Sequence, residues 1–309
     1  FAGDFNSTLL LTQTAWYGRE VFDPNAADAL VSVIDNPYSA VQDKNDNIYF
    51  FETFNNIIRK MDPAGNLSVL AGTPPGFSEP SSVPSGFRGV NLPGESFEIG
   101  YAYPMAYDKN SDSLFLDIGV NEELHQFNLA TNVHTTLWNQ QNSWTLDSSP
   151  IFGMDLKPSS IPGALPQFYF YQFLTIDPFG AVISKLSGTG AGAMTKNRLA
   201  GNGTNAAPVE GPGLNSPLTY GYMGTSMDTA GNYYFTLNWQ LYKLTQAQNM
   251  VHIGPAGWNS NVIFDSEGDG KKHFIGVVGE TLQYLALNAS DDSIAVSYTA
   301  LCLPGTTLI

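Results

Sequence analysis

Apolar residues in this chain cluster into short runs, and the stretches between the runs are rich in Asp, Asn, Gly and Pro. The clearest runs, residues 48–51 and 233–236, combine aromatic and β-branched residues as strands do. Consecutive side chains of a strand point to opposite faces, so an uninterrupted apolar run predicts a strand that is buried on both faces. No long helical pattern competes with these runs. The sequence therefore predicts an all-β fold.

Both runs belong to longer segments, residues 41–73 and 227–254, that share one order of features. Each segment has an apolar residue followed by Asp, a turn, and Asn leading into an aromatic strand. A second strand then ends in Lys and an apolar residue, and a last strand ends in Gly. Weaker copies begin at Tyr107-Asp108, Met154-Asp155 and Phe264-Asp265. Repeated units of several short strands predict a β-propeller of four-stranded blades.

Three phrases of the sequence resemble NHL repeats, namely residues 46–61, 69–73 and 199–204. The resemblance implies a propeller, commonly with six blades. Five copies plus residues 1–30 give six blades if that N-terminal segment, with its apolar run at residues 9–11, forms a degenerate blade. The same segment would alternatively lend one strand that closes the ring. We expect one domain over residues 1–309, with residues 73–94 and 188–217 as loops between blades.

The charge balance excludes some partners. Charged residues make up only 13% of the chain and the formal net charge is −15. Nucleic acid is not expected as a partner, because its recognition needs clustered Lys and Arg. No apolar stretch is long enough to predict a membrane span. The single cysteine, Cys302, excludes an internal disulfide; it is expected to be a buried thiol, with a link to another chain as the alternative.

Four Asn-x-Ser/Thr sequons begin at Asn6, Asn66, Asn202 and Asn288. Asn66, Asn202 and Asn288 fall in predicted turns, where a glycan is accessible. The sequons predict N-linked glycosylation, which implies an extracellular or cell-surface location.

One acidic segment has the spacing with which calcium loops begin. Asp265, Glu267 and Asp269 stand at alternate positions before a glycine. The Glu that normally closes such a loop is missing, because position 276 is Gly. Two interpretations follow, a Ca²⁺ site, which is the one candidate cofactor, or an acidic hairpin turn. Residues 43–47 form a weaker version of the same pattern.

No catalytic residue is predicted, because the chain lacks a nucleophile elbow, a P-loop and a dinucleotide fingerprint. The histidines are not spaced as metal ligands and are expected to be structural; they are His125, His134, His252 and His273. An Asp recurs where the first strand of a copy is expected to end, which indicates a turn role; these residues are Asp108, Asp155, Asp228 and Asp265. Aromatic residues such as Trp239 are either core or a platform for a sugar ring or a protein.

These observations predict an extracellular, glycosylated binding or structural assembly domain that uses an NHL-like propeller as its interaction platform. Its partner is expected to be a protein, another copy of the chain, or a glycan. The alternative is an enzyme of the lyase or lactone hydrolase class. Propellers of that kind, which the repeats also resemble, hold a metal in a central channel with residues from several blades.

Overall fold

The structure is a computed structural model that describes most of the predicted repeats. The described residues are 37–52, 57–72, 102–118, 123–139, 151–161, 164–174, 180–190, 193–219, 224–228, 230–256, 271–278 and 281–301. The predicted N-terminal segment 1–30, the loop at residues 73–94 and Cys302 lie outside this set. The sixth blade and the ring-closing strand therefore stay predictions.

The chain is all-β, as predicted, and the described strands form five antiparallel sheets. The described part contains one short 3₁₀ helix, Gly213–Asn215. By contacts, the chain divides into two compact units, of which the first comprises residues 1–143, 158–165 and 189–194. The second comprises residues 144–157, 166–188 and 195–309. The single domain expected over residues 1–309 stays a prediction.

The first unit contains two four-stranded sheets whose strands follow chain order. Sheet one consists of β1 Pro37–Gln42, β2 Ile48–Glu52, β3 Ile57–Met61 and β4 Leu67–Ala71. Sheet two consists of β5 Ala102–Asp108, β6 Ser113–Ile118, β7 Glu123–Asn128 and β8 Val133–Asn139.

The second unit contains the other three sheets. Sheet three consists of β9 Ile151–Lys157, β10 Gln167–Leu174, β11 Gly180–Gly188 and β12 Met194–Ala200. Sheet four consists of β13 Gly211–Pro212, β14 Thr225–Met227, β15 Tyr233–Leu237, β16 Gln240–Leu244 and β17 Asn249–Pro255. Sheet five consists of β18 Lys271–Val278, β19 Thr281–Asn288 and β20 Ile294–Leu301.

The second strand of a sheet is buried on both faces, as the apolar runs predict. Every residue of β15 is buried, and so is all of β2 except Ile48. In the first unit, Tyr49 and Phe51 of β2 share a core with Leu114 and Phe127 of sheet two. In the second unit, the core between sheets three and four is aromatic, and the rings of Tyr169 and Tyr233 stack with their centres 5.9 Å apart. Neighbouring sheets thus cover each other's apolar faces, which no single sheet could do alone.

The predicted loop at residues 188–217 is partly wrong, because it contains the strand β12 and the two-residue strand β13. The sequence of β12 is largely polar and half of the strand is exposed, so it lacks the apolar signal of an inner strand. After β12 the chain crosses to the outer edge of sheet four, where β13 pairs with β17. The N–H of Gly201 donates to the carbonyl of Gly213, and the N–H of Gly213 donates to the carbonyl of Gln248. This segment ties sheet three to sheet four.

Candidate functional site

Most of the repeated aspartates hold the turns between strands. Asp228 accepts the backbone N–H and the side-chain amide of Asn232, at 2.8 and 2.9 Å, in the turn after β14. Asp108 accepts the N–H and the hydroxyl of Ser111 in the turn after β5. Asp43 accepts four donors within its own turn, so the turn interpretation of residues 43–47 is favoured over a cation site. These carboxylates stabilise hairpins.

Asp155 does not hold a turn, so the turn role inferred from its place in the repeat is wrong. It lies inside β9, two residues before the strand ends, and pairs across the sheet with Tyr169. Burial raises the pKa of the Asp155 carboxyl to about 7. Burial also raises the pKa of Tyr233, and the charge of Asp155 adds to that rise. Gly153 of the same strand lies so close to Thr225 of β14 that an added Cβ would come within 2.7 Å of the threonine methyl. Asp155 is therefore a partly buried residue of sheet three whose carboxyl lies near Tyr233 of sheet four.

The structure brings together two histidines that the sequence leaves nine positions apart. His125 on β7 and His134 on β8 are both fully buried, and the distance between His125 Nδ1 and His134 Nε2 is 2.8 Å. Glu123 reaches the other ring nitrogen of His125 at 3.3 Å. Burial lowers the pKa of His125, and burial together with the charge on His125 lowers that of His134 to about 3. Burial therefore disfavours the protonated form of both imidazoles.

An ionic cluster joins sheets four and five. The Asp292 carboxylate bonds to the ammonium groups of Lys243 and Lys272 and accepts the Tyr234 hydroxyl at 3.2 Å. Lys272 Nζ also lies 2.7 Å from the Tyr234 oxygen and 3.7 Å from Asp228. Burial raises the pKa of Asp292, but the hydrogen bonds from Lys243 and Lys272 outweigh it and the net pKa is lowered. This cluster cross-links two sheets and leaves few groups for a ligand.

Trp239 is the most prominent aromatic residue on the described surface. It lies in the two-residue turn between β15 and β16, and 51% of it is exposed. Asn238 and Trp239 have φ angles of 50° and 65°, the left-handed values of a type I′ hairpin turn. Asn tolerates this conformation, whereas a bulky residue is strained in it and Gly is preferred. The turn therefore holds a tryptophan outward at a position where glycine would fit better.

The strands and segments that flank the Trp239 turn carry polar residues, most of them uncharged. The Gln240 side-chain oxygen lies 3.0 Å from Nε2 of the exposed His252, whose ring packs on Tyr242 with centres 5.1 Å apart. Glu210 accepts the backbone N–H of His252 at 3.2 Å. On the other side of the turn, the Asn238 amide lies 3.5 Å from the Thr219 hydroxyl. Trp239, exposed at its turn, is the candidate functional position of this sheet, and polar residues on the elements around the turn accompany it, namely Thr219, Asn238, Gln240, His252 and Glu210.

Two of the described sequon asparagines are exposed and one is partly buried. Asn66 follows β3, and its amide donates to Asp62 at 2.8 Å. Asn202 follows β12, and its side-chain oxygen accepts the N–H of Thr204, the third residue of its own sequon, at 2.9 Å. Asn288 ends β19 and donates to Ser293 at 2.9 Å. Asn6 lies outside the described residues, so the described sequon asparagines that are exposed are Asn66 and Asn202.

The predicted calcium ligands Asp265, Glu267 and Asp269 also lie outside the described residues. Within the described ranges, no group of three His, Cys, Asp or Glu side chains is placed to hold a metal ion. The same part of the chain contains no helix with the length and apolarity needed to cross a bilayer.

Solved structures identify the arrangement of sheets as a β-propeller. A chain of a nidogen/laminin complex matches with 9% identity and a TM-score of 0.51, covering 86% of this chain and 80% of that one. A protein assigned as a gluconolactonase matches with 11% identity and a TM-score of 0.52, covering 92% and 84%. A streptogramin B lyase matches with 13% identity and a TM-score of 0.50, covering 89% and 72%. At these identities the likeness shows the fold alone.

No protein-family model matches the sequence. No curated protein matches it significantly either. The propeller prediction is thus confirmed at the level of fold, whereas the likeness to NHL repeats in particular remains a resemblance. Sequence reasoning named Trp239 as an aromatic residue in a turn, but it missed the contacts of Glu210 with His252 and of Thr219 with Asn238, which join segments that are distant in the sequence.

Proposed function

We propose that the chain is an extracellular, glycosylated binding or structural assembly domain that uses an NHL-like β-propeller as its interaction platform. Its partner is a protein, a second copy of the chain, or a glycan. The observation that carries the binding role is Trp239, an exposed tryptophan in a strained backbone conformation. Strain that the fold could relieve with a glycine is typical of positions kept for a function. Exposed aromatic side chains are also enriched at binding interfaces.

Engagement of the turn aspartates and of Asp292 within the fold favours binding over a catalytic use of these four carboxylates. Asp43, Asp108 and Asp228 serve their own turns, and Asp292 is held by two lysines. The exposed Asn66 and Asn202 support glycosylation, and glycosylation in turn requires passage through the secretory route.

Glycosylation is tested on protein purified from its natural source. We expect an intact mass above that of the polypeptide, which falls after digestion with a peptide N-glycosidase. The variants Asn66→Gln and Asn202→Gln, produced in the same secreting cells, are expected to lose mass one glycan at a time. A natural protein with the unmodified mass contradicts this part of the proposal.

The binding or assembly role is tested by the state of the protein in its source. Cross-linking followed by sedimentation is expected to show a complex or an oligomer that Trp239→Gly weakens. Ile161→Ser, which changes another exposed apolar residue, is the control and is expected to leave the complex intact. A protein that sediments as a free monomer at its natural concentration, and binds nothing, contradicts the role.

The alternative, a propeller enzyme of the lyase or lactone hydrolase class with a channel metal, stays a prediction. It is tested separately, by elemental analysis of the purified protein and by its activity on lactones before and after treatment with a chelator.

A further inference from the structure

The last strand of sheet five, β20, has one side open to solvent. Among the described strands only β19 lies beside it, so the backbone groups on its other side have no described strand to pair with. Residues 293–297 are all exposed, with Ile294 at 42% and Val296 at 38%. Five consecutive exposed residues include both faces of the strand, so the exposure extends along its edge.

The sequence of β20 is that of a strand suited to pairing. Residues 293–301 contain no Asp, Glu, Lys, Arg or Pro. Half of the eight residues of β20 are β-branched or aromatic, namely Ile294, Val296, Tyr298 and Thr299. The register with β19 shifts at Ala295, but residues 296–301 pair with β19 without interruption. The edge therefore lacks the charges and prolines that usually block pairing with another strand.

The last strands of the other four sheets are each protected in some way. In sheet one, β4 has five residues, of which only Ser68 is exposed, and no described residue of β8 in sheet two is exposed. In sheet three, β12 carries Lys196 and Arg198. In sheet four, β13 pairs with β17 and covers part of it. Of these last strands, β20 alone combines length, exposure and a lack of charge.

The distribution of charge favours a second copy of the chain as the occupant of this edge. The formal net charge of −15 makes two copies repel each other over most of their surfaces, so they approach at least cost where the strand carries no charge. Asp292, which precedes the strand, is held by Lys243 and Lys272. An antiparallel ladder is also self-complementary about a two-fold axis, the commonest symmetry of homo-oligomers.

The same charges select the antiparallel orientation. In a parallel pair, Asp291 and Asp292 of the two copies would lie side by side, and like charges directly opposite each other are destabilising. In an antiparallel pair centred within the strand, these aspartates lie at opposite ends of the ladder. Each then faces the uncharged second half of the other strand, residues 298–301.

The size of the contact sets its strength. Eight residues that rise about 3.3 Å each give a ladder of about 26 Å. One strand edge of this length is smaller than the area of about 800 Å² per partner that a standard stable interface buries. The expected complex is therefore a dimer that dissociates on dilution, with a Kd between about 1 and 100 μM.

We infer that β20 is a self-association edge, at which two copies of the chain pair their β20 strands antiparallel and join their fifth sheets into one. This inference rests on the proposed assembly function and names its surface and its partner.

The test is sedimentation velocity of the full chain at concentrations from below to well above the expected Kd. We expect the wild type to pass from monomer to dimer over this range. Val296→Lys places like charges near the two-fold axis and is expected to raise the Kd at least about tenfold. Val209→Lys is the matched control, because it makes the same change at an exposed valine outside sheet five, and its Kd is expected to equal that of the wild type.

Two further measurements do not depend on how well Val296→Lys folds. In the wild type, amide hydrogen exchange of residues 294–301 is expected to slow at high concentration, whereas exchange of residues 249–255 stays unchanged. Orientation is measured as the distance between spin labels on Ser293→Cys, in a Cys302→Ser background. An antiparallel pair separates the labelled backbone positions by about 20–40 Å, whereas a parallel pair brings them to about 5 Å.

Four results would overturn the inference: a monomer at every concentration, a Kd that Val296→Lys leaves unchanged, equal weakening by Val209→Lys, or the short label distance. A natural complex with another protein that survives Val296→Lys, found while the purified chain stays monomeric, removes this inference and leaves the proposed function standing. A β20 dimer of a chain that carries no glycan supports the inference and removes only the glycosylation part of the proposed function.

Discussion

The Tyr49 hydroxyl donates a hydrogen bond of 3.0 Å to Oδ2 of Asp43, which lies six residues earlier in the chain. The same oxygen accepts the Asn47 side-chain amide, and Oδ1 accepts the backbone N–H groups of Asn45 and Asn47. The first hairpin of sheet one is thus organised around a single carboxylate. Asp228 stands in the same relation to Tyr234 in sheet four, which identifies the contact as a repeated feature of the blades.

Asp43→Asn is expected to lower the free energy of unfolding by about 2 kcal/mol. The new side-chain NH₂ group would face the Asn47 amide and the Tyr49 hydroxyl, which both donate to the carboxylate in the wild type. Asp46→Asn is the matched control. Asp46 is exposed, accepts only the Gln42 amide among the bonds found here, and has a φ of 63° that Asn tolerates. Denaturant unfolding of both variants measures the difference, and equal losses would contradict the role of Asp43.

Gly201 and Gly65 have nearly the same φ, so alanine substitutions at these two positions distinguish the cost of backbone strain from the cost of a steric clash. Gly201 and Gly65 have φ angles of 92° and 87°, but a Cβ on Gly201 would lie 2.3 Å from the Ala181 carbonyl oxygen, whereas Gly65 faces open space. Gly65→Ala is expected to cost about 1 kcal/mol and Gly201→Ala about 3 kcal/mol or more. Chemical denaturation checks both values. Similar losses of stability in the two variants would show that Gly201 does not pack against Ala181 of sheet three as described.

The carboxyl of Asp155 makes stability depend on pH in an unusual direction for an acid. Its pKa rises from 3.8 to about 7 on folding, so between these values the folded chain holds a proton that the unfolded chain releases. This contribution is full below about pH 4 and is lost as the pH rises through 7. Asp155→Asn is expected to match the wild type at pH 4 and to exceed its unfolding free energy at pH 8 by about 2 kcal/mol. Parallel pH profiles of the two proteins would contradict the raised pKa of Asp155.

The histidine pair acts in the opposite direction. Both imidazoles have lowered pKa values in the folded chain. Below about pH 6.5, these histidines are therefore protonated in the unfolded chain but remain neutral in the folded chain. Stability therefore falls with the pH from 6.5 towards 3. His134→Gln keeps a polar group beside His125 and is expected to flatten this loss, whereas Thr136→Ser, which keeps both imidazoles, is not. Urea titrations between pH 4 and pH 8 distinguish them, and an unchanged slope in His134→Gln would refute the explanation.

The inner strands could be predicted from the sequence because a strand that is buried on both faces consists of consecutive apolar residues. Residues 48–51 and 233–236 are apolar without interruption, and they became the centres of β2 and β15. The outer strand β12 carries no such trace, since a half-exposed edge accepts polar residues. The same reasoning failed for Asp155, because a repeat pattern gives the order of features and not the point at which a strand ends.

The site was harder to predict because its contacts depend on register. His125 and His134 meet only because Phe127 pairs with His134 and His125 with Thr136 across β7 and β8. A shift of one residue would turn one ring to the other face. Likewise, the turn at Trp239 was readable from the sequence, but the contact of Glu210 with the backbone of His252 was not, because it follows from the pairing of β13 with β17.

The two-residue strand β13 affects how this protein behaves at high concentration. It covers the outer edge of sheet four with Gly211 and Pro212 only, and the proline has no N–H to offer a further strand. Long, flat edges recruit other chains into growing sheets, whereas a short edge ending in proline resists this. The chain segment that links two blades therefore also protects this side of the molecule against aggregation.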